Sequence, residues 1–210
     1  MKNIIIAGAG GFGREIASLL ESVVVSESIR IGGFLDDTMD AAPALNDRYP
    51  YPILGTITAY MPAPGDVFII AIGDPKTKLA VAKKLEQRGA EFFNFIHPTA
   101  FVARTAQLGK GIILCPFSVA SADSYISDFV TINNYSGAGH DAFIGEGSTI
   151  SSHVDITGYV KIGAGVFIGS NASILPGVEV GASARIGAGS IVVRRVKEGA
   201  TVYALPARTL

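Results

Sequence analysis

The feature that most constrains this chain is a six-residue period in its second half. From Ile96 to Val192 every sixth residue is Ile, Val or Leu, except for Ala120 and Ala138. Four residues after each comes a second small or aliphatic residue, as at Ile112, Ser136, Ser148 and Val166, and the pattern runs on to Val196. An α-helix turns about every 3.6 residues and cannot hold a period of six on one face. Short flat strands joined by turns can. Three hexads close a triangular coil of about 18 residues, and stacked coils form parallel ladders. The expected fold of this half is therefore an all-β, left-handed parallel β-helix, its aliphatics filling the interior. Glycines just after interior residues (Gly145, Gly163, Gly169, Gly181, Gly187) are expected at tight corners with unusual dihedrals. The register carries no inserted loop, so the helix supplies no lid of its own.

The first half follows another rule. Lys2–Ala7 is a short apolar run suited to a buried parallel strand. A glycine loop, Gly8–Gly13, follows, then a helix expected over Arg14–Glu21. Further strands are expected at Ile29–Leu35, Val67–Ile72 and Phe92–Ile96, with a helix over Lys76–Arg88. Asp37–Pro64 reads as an irregular connection with one short strand near Ile53. Alternation of strand and helix implies a small parallel α/β sheet. Two domains result: a Rossmann-like α/β domain over 1–95 and the hexapeptide-repeat β-helix with its tail over 96–210. Hydrophobic residues make up 49% and charged residues 17%, a globular composition, and the net charge of −1 gives no nucleic-acid surface. No segment approaches the roughly 20 apolar residues of a membrane span. The single cysteine, Cys115, cannot pair within the chain, which fits a reducing, cytoplasmic setting.

Gly8-Ala-Gly10-Gly-Phe-Gly13 satisfies G-x-G-x-x-G between a strand and a helix, and Asp36-Asp37 close the next strand. Glycines let a phosphate approach the backbone, and the helix N-terminus favours its charge. Taken alone the motif suggests a redox dinucleotide or a purely structural turn. The α/β half ends near residue 95, too early for a full six-stranded dinucleotide fold.

Several motifs together carry a resemblance. Units such as Ile162-Gly-Ala-Gly-Val and Ile186-Gly-Ala-Gly-Ser repeat along the β-helix. A GAGGFGRE loop precedes it. His140-Asp141 follows Thr131-Ile-Asn-Asn-Tyr-Ser-Gly-Ala-Gly. Leu175-Pro-Gly comes later, and the chain ends with Tyr203-Ala-Leu-Pro-Ala-Arg. Over essentially its whole length the chain resembles the hexapeptide-repeat sugar acetyltransferases of the sialic acid O-acetyltransferase type. That family includes N-acetyltransferases of nucleotide-linked 4-amino sugars such as bacillosamine and perosamine precursors.

The resemblance implies a homotrimer that binds acetyl-CoA between neighbouring β-helices, with no metal. His140 is then the general base, oriented by Asp141, and the substrate attacks the thioester directly. No acyl-enzyme is then required, and Cys115 need not be a nucleophile. The Gly158 amide faces the thioester oxygen, and Ser170 and Ala188 lie along the CoA track. Thr149 stands where bacillosamine-type relatives carry a second histidine; its hydroxyl can hydrogen-bond but cannot titrate. Gly10, Gly11, Phe12, Asp36, Asp37, Gly73, Asp74 and Lys78 are implied to hold the nucleotide sugar. Asn134 is either a sugar contact or a rung in an Asn ladder. Arg194, Arg195, Lys197 and Arg208 either meet CoA phosphates or form a solvated run.

The implied reaction is acetyl transfer to the amino group of a nucleotide-linked 4-amino-4,6-dideoxy sugar. O-acetylation of a sialic acid is the alternative. A zinc hydratase needs three convergent histidines, and the only three here are His97, His140 and His153. A non-enzymatic scaffold is the remaining class.

Overall fold

A computed structural model of the chain describes residues 2–23, 29–38 and 49–205. The chain divides into two compact units, Met1–Phe95 and Ile96–Leu210. Part of the irregular connection, and Arg208 of the basic cluster, lie outside the described residues.

The first unit is a five-stranded parallel sheet with strands β1 (Lys2–Ala7), β2 (Ile29–Leu35), β3 (Ile53–Gly55), β4 (Asp66–Ile70) and β5 (Glu91–Phe92), in the order β3-β2-β1-β4-β5. The central strand is the Ile-rich run, and Ile4, Ile5 and Ile6 are wholly buried, as a strand covered on both faces requires. Helix α1 (Gly11–Val23) starts three residues earlier than the sequence suggested. The glycine loop itself enters the helix, with the Arg14 N–H donating to the Gly10 carbonyl at 3.1 Å. A side chain at Gly13 would strike the Gly8 carbonyl, so this glycine lets helix and strand pack closely. Helix α2 (Pro75–Glu86) starts with Pro75 behind an Asp74 N-cap, whose carboxylate accepts the Thr77 N–H at 3.0 Å.

The second unit is a parallel β-helix of two-residue strands in three ladders of seven, six and five. Partners lie 18 residues apart, as in Val119↔Gly137↔Asp155 and Tyr125↔Phe143↔Lys161. The interior positions Leu114, Ile132, Ile150, Ile168 and Ile186 are at most 1% exposed. Buried serines link successive coils. The Ser136 hydroxyl donates to the Ser151 carbonyl at 2.6 Å and accepts the Val154 N–H at 2.9 Å.

The corners differ from expectation. From Gly111 to Gly189 the residue three places after each interior position is left-handed, with φ of 57 to 71°. Nine of these corner residues are not glycine, including Asp141, His153 and Tyr159. The glycines just after the interior positions have no such φ. They are needed because the next coil lies directly against them: a Cβ at Gly163 would stand 2.5 Å from the Ala182 nitrogen. Proximity between coils selects these glycines, and the corner bend does not.

The hexad register also ends sooner than the sequence suggested. Val196 pairs with Val180, and Thr201–Val202 with Arg185–Ile186, so the last coil is two residues short. Val196 thereby takes a primary interior position, and the left-handed corner moves to Gly199, at φ 67°. Among the described residues no helix is long and apolar enough to cross a membrane.

The two glycine roles separate experimentally. Gly163→Ala forces neighbouring coils apart and is expected to cost about 3 kcal/mol. Gly189→Ala, at φ 68° in open space, is expected to cost only about 1 kcal/mol. Chemical denaturation of the two variants measures the difference.

Candidate functional site

The corner between strands Gly137–Ala138 and Phe143–Ile144 carries His140 and Asp141. Asp141 occupies the left-handed position at φ 58°, which Asp tolerates better than most residues. Its Oδ2 lies 2.9 Å from His140 Nδ1. An ionised carboxylate only accepts, so Nδ1 donates to it, and in the neutral ring the lone pair then lies on Nε2. The tip of the imidazole hangs over the next coil. A Cβ at Gly158 would stand 2.5 Å from His140 Nε2 and Cε1, so the absent side chain is the space the ring occupies. Tyr159 closes the other side, its ring centroid 5.0 Å away and perpendicular. Both His140 and Asp141 face solvent, with side chains 57% and 41% exposed. Among the described residues the Gly158 N–H donates to no protein acceptor.

Asn134, Ser170 and Ala188 share one hexad position at the neighbouring corner, where residues 18 apart stack. The Asn134 Oδ1 is buried and has no hydrogen-bond partner among the described residues. Beside it Phe117, Tyr135 and His153 stack in a column, with centroids 5.0 Å apart and ring planes within 11°. His153 is thus one ring of a stack on another corner from His140. His97, the third histidine, has Nδ1 2.8 Å from the Thr99 hydroxyl. A groove of about 480 Å³ crosses the face between the two corners, from Phe117, Tyr135 and His153 to Gly139 and Thr157. Thr149 is not brought to His140. It is 3% exposed on the third ladder, paired between Thr131 and Phe167. Among the described residues no group of three His, Cys, Asp or Glu side chains is placed to hold a metal ion.

In the first unit a cleft of about 380 Å³ brings together Gly10, Gly11, Phe12, Asp36, Asp37 and Gly73. Thr38, Ile57 and Val81 line it as well. A Cβ at Gly10 would meet no described atom within 4 Å, whereas one at Gly8 would stand 2.8 Å from the Ala71 carbonyl oxygen. Gly8 and Gly13 therefore serve the fold, and Gly10 borders open space in the cleft. Asp36 fastens the loop: its Oδ2 accepts the Ala9 N–H at 2.7 Å, and its Oδ1 accepts the Thr38 hydroxyl and N–H. Burial alone would raise the Asp36 pKa, but these hydrogen bonds outweigh it and hold the carboxyl below its ordinary value. Asp37 accepts the Thr58 N–H and hydroxyl, both at 2.9 Å. Asp74 and Lys78 are not among the residues lining the cleft. Asp74 caps α2, and Lys78 is 1% exposed within the unit. Burial pushes the Lys78 ammonium down to about 7, against the opposing pull of Asp74.

Residues 3–85 match the PglD N-terminal domain, and residues 159–194 match the bacterial transferase hexapeptide of six repeats. UDP-N-acetylbacillosamine N-acetyltransferase of Bacillus subtilis (strain 168) is 29% identical over 114 residues, 54% of this chain and 51% of that protein. GDP-perosamine N-acetyltransferase of Escherichia coli O157:H7 is 33% identical over 140 residues, 65% of this chain and 61% of that protein. The matched stretches thus span between about half and three fifths of these relatives' lengths. The crystal structure of PerB from Caulobacter crescentus in complex with CoA and GDP-perosamine is 26% identical, with a TM-score of 0.85 over 99% of this chain and 97% of that one.

The burial of Lys78 makes a stability prediction. Its folded pKa lies below its unfolded value, so between about pH 7 and pH 10 the unfolded chain binds more protons and stability rises with pH. Lys78→Met is expected to be more stable than the parent near pH 7 and to lose that rise. Urea denaturation of both proteins across this range measures it.

Proposed function

We propose that this relative of the UDP-N-acetylbacillosamine and GDP-perosamine N-acetyltransferases moves the acetyl group of acetyl-CoA onto the amino group of a nucleotide-linked 4-amino-4,6-dideoxy sugar. The observation that carries the reading is the His140 imidazole, bound to Asp141 at Nδ1, with Nε2 held over Gly158. In this reading the sugar amine attacks the thioester carbonyl and forms the C–N bond. Charge gathers on the carbonyl oxygen, where the Gly158 N–H donates to it. His140 Nε2 takes the proton from nitrogen. The C–S bond then breaks, and the proton passes to the departing sulfur, leaving an amide and free CoA. Cys115 is wholly buried and stays out of the reaction.

Ser170 and Ala188 line the CoA track from the corner next to His140, and Asn134 at that corner meets the sugar. A homotrimer accounts for this arrangement: one copy's His140 corner faces the Asn134, Ser170 and Ala188 corner of the next, with acetyl-CoA between them. Thr149 fits the set least well, being buried half a coil from His140. The cleft of the first unit takes the nucleotide. Its phosphates meet the backbone at Gly10, Gly11 and Phe12, where the N-terminus of α1 favours negative charge. The ribose or base meets Asp36, Asp37 and Gly73. Asp74 and Lys78 serve the fold. A reduced, buried Cys115 and the use of acetyl-CoA fit a cytoplasmic enzyme.

Release of the CoA thiol tests the reading. Turnover is expected with a UDP- or GDP-linked 4-amino sugar and not with free sialic acid; the reverse pattern overturns it in favour of O-acetylation. Gly158→Ala keeps the backbone N–H but displaces the imidazole. It is expected to slow transfer about 100-fold while leaving the melting temperature unchanged.

A further inference from the structure

We propose that Tyr159 is a positioning residue for His140, holding the imidazole over Gly158 through an edge-to-face ring contact. The inference rests on the reading of His140 as the base.

Within the chain, Asp141, Gly158 and Tyr159 border the His140 ring. Asp141 holds Nδ1 at 2.9 Å, but both partners are widely exposed, and one hydrogen bond at one nitrogen does not fix the tilt of the ring. Gly158 offers an open space beneath the ring and no side chain to press against it. Tyr159 supplies an aromatic wall. Its backbone is tied to the same residue, its N–H donating to the His140 carbonyl at 3.0 Å. Its ring lies 5.0 Å from the imidazole at an interplanar angle of 90°, within the favoured range for aromatic pairs.

The other rings of this β-helix behave differently. Phe117 and Tyr135, Tyr135 and His153, and Tyr125 and Phe143 lie one coil apart, and each pair stacks with planes within 11°. These contacts follow from the stacking of coils. Tyr159 has Asp141 one coil before it and Gly177 one coil after it, so its own column gives it no ring to stack on. Its ring turns across to the His140 column instead. Because Tyr159 is 60% exposed, the core does not depend on this side chain.

The test uses the full chain and three variants: Tyr159→Phe, Tyr159→Leu and Tyr159→Ala. Tyr159→Phe keeps the ring and is expected to retain kcat within about twofold. Tyr159→Leu keeps bulk without a ring, and Tyr159→Ala removes both. Each is expected to lower kcat about tenfold, with KM for acetyl-CoA and the melting temperature unchanged. The His140 Cε1–Hε1 NMR signal, assigned by its loss in His140→Ala, reports the ring contact directly. It is expected at the same shift in the parent and Tyr159→Phe, and displaced in the other two. A parent-like kcat in Tyr159→Ala overturns the proposal. So does a loss in Tyr159→Phe equal to that in Tyr159→Ala, or an unmoved His140 signal in Tyr159→Ala. If the parent transfers no acetyl group to any amino sugar, the functional reading falls, and the NMR comparison still decides whether Tyr159 positions His140.

Discussion

The contact on which the β-helix depends is backbone lying on backbone between successive 18-residue coils. It fixes the parallel ladders, aligns interior aliphatics such as Ile132, Ile150 and Ile168, and demands glycine wherever a Cβ would strike the next coil. The same stacking builds the site. It places Gly158 beneath His140 and Tyr159 one coil beyond Asp141, so the imidazole rests in a gap the repeat leaves open. No inserted loop is needed, and the register holds unbroken past the site to Val192. A ligand at His140 meets a wall whose geometry is set by many repeats of one contact.

The two units divide the chemistry. The first supplies a cleft where Gly10 faces open space and Asp36 ties down the loop that carries it. The second supplies an exposed imidazole, His140, with Nδ1 held by Asp141 and Nε2 over Gly158. Neither region gathers metal ligands among the described residues. The proposed reaction asks these units for a proton acceptor and for a backbone N–H to meet charge on an oxygen.

Much of this was legible in the sequence because a parallel coil repeats its interior at a fixed spacing, and Ile96 to Val192 shows that spacing directly. His140, Asp141 and Gly158 were identified by motif, and the structure brings them together. Tyr159 was missed, although counting 18 residues on from Asp141 leads to it. The role of the glycines after the interior positions was misassigned because a period shows where a residue recurs and not whether dihedral or proximity selects it. The shortened last coil was hidden because Val196 satisfies the hexad pattern in either role. Asp74 and Lys78 follow a strand, where polar residues often meet ligands, but the sequence did not show what each does in the fold. Here the first caps a helix and the second is buried, which only the packing of α2 reveals.

The central claim is that His140 Nε2 removes the proton from the attacking amine. The most direct test is the kcat of His140→Ala with acetyl-CoA and a nucleotide-linked 4-amino sugar, measured alongside its melting temperature and nucleotide binding. Loss of a general base predicts a fall of about 100- to 10,000-fold in kcat, with folding and nucleotide binding unchanged. A variant that retains kcat within about tenfold of the parent would contradict the account.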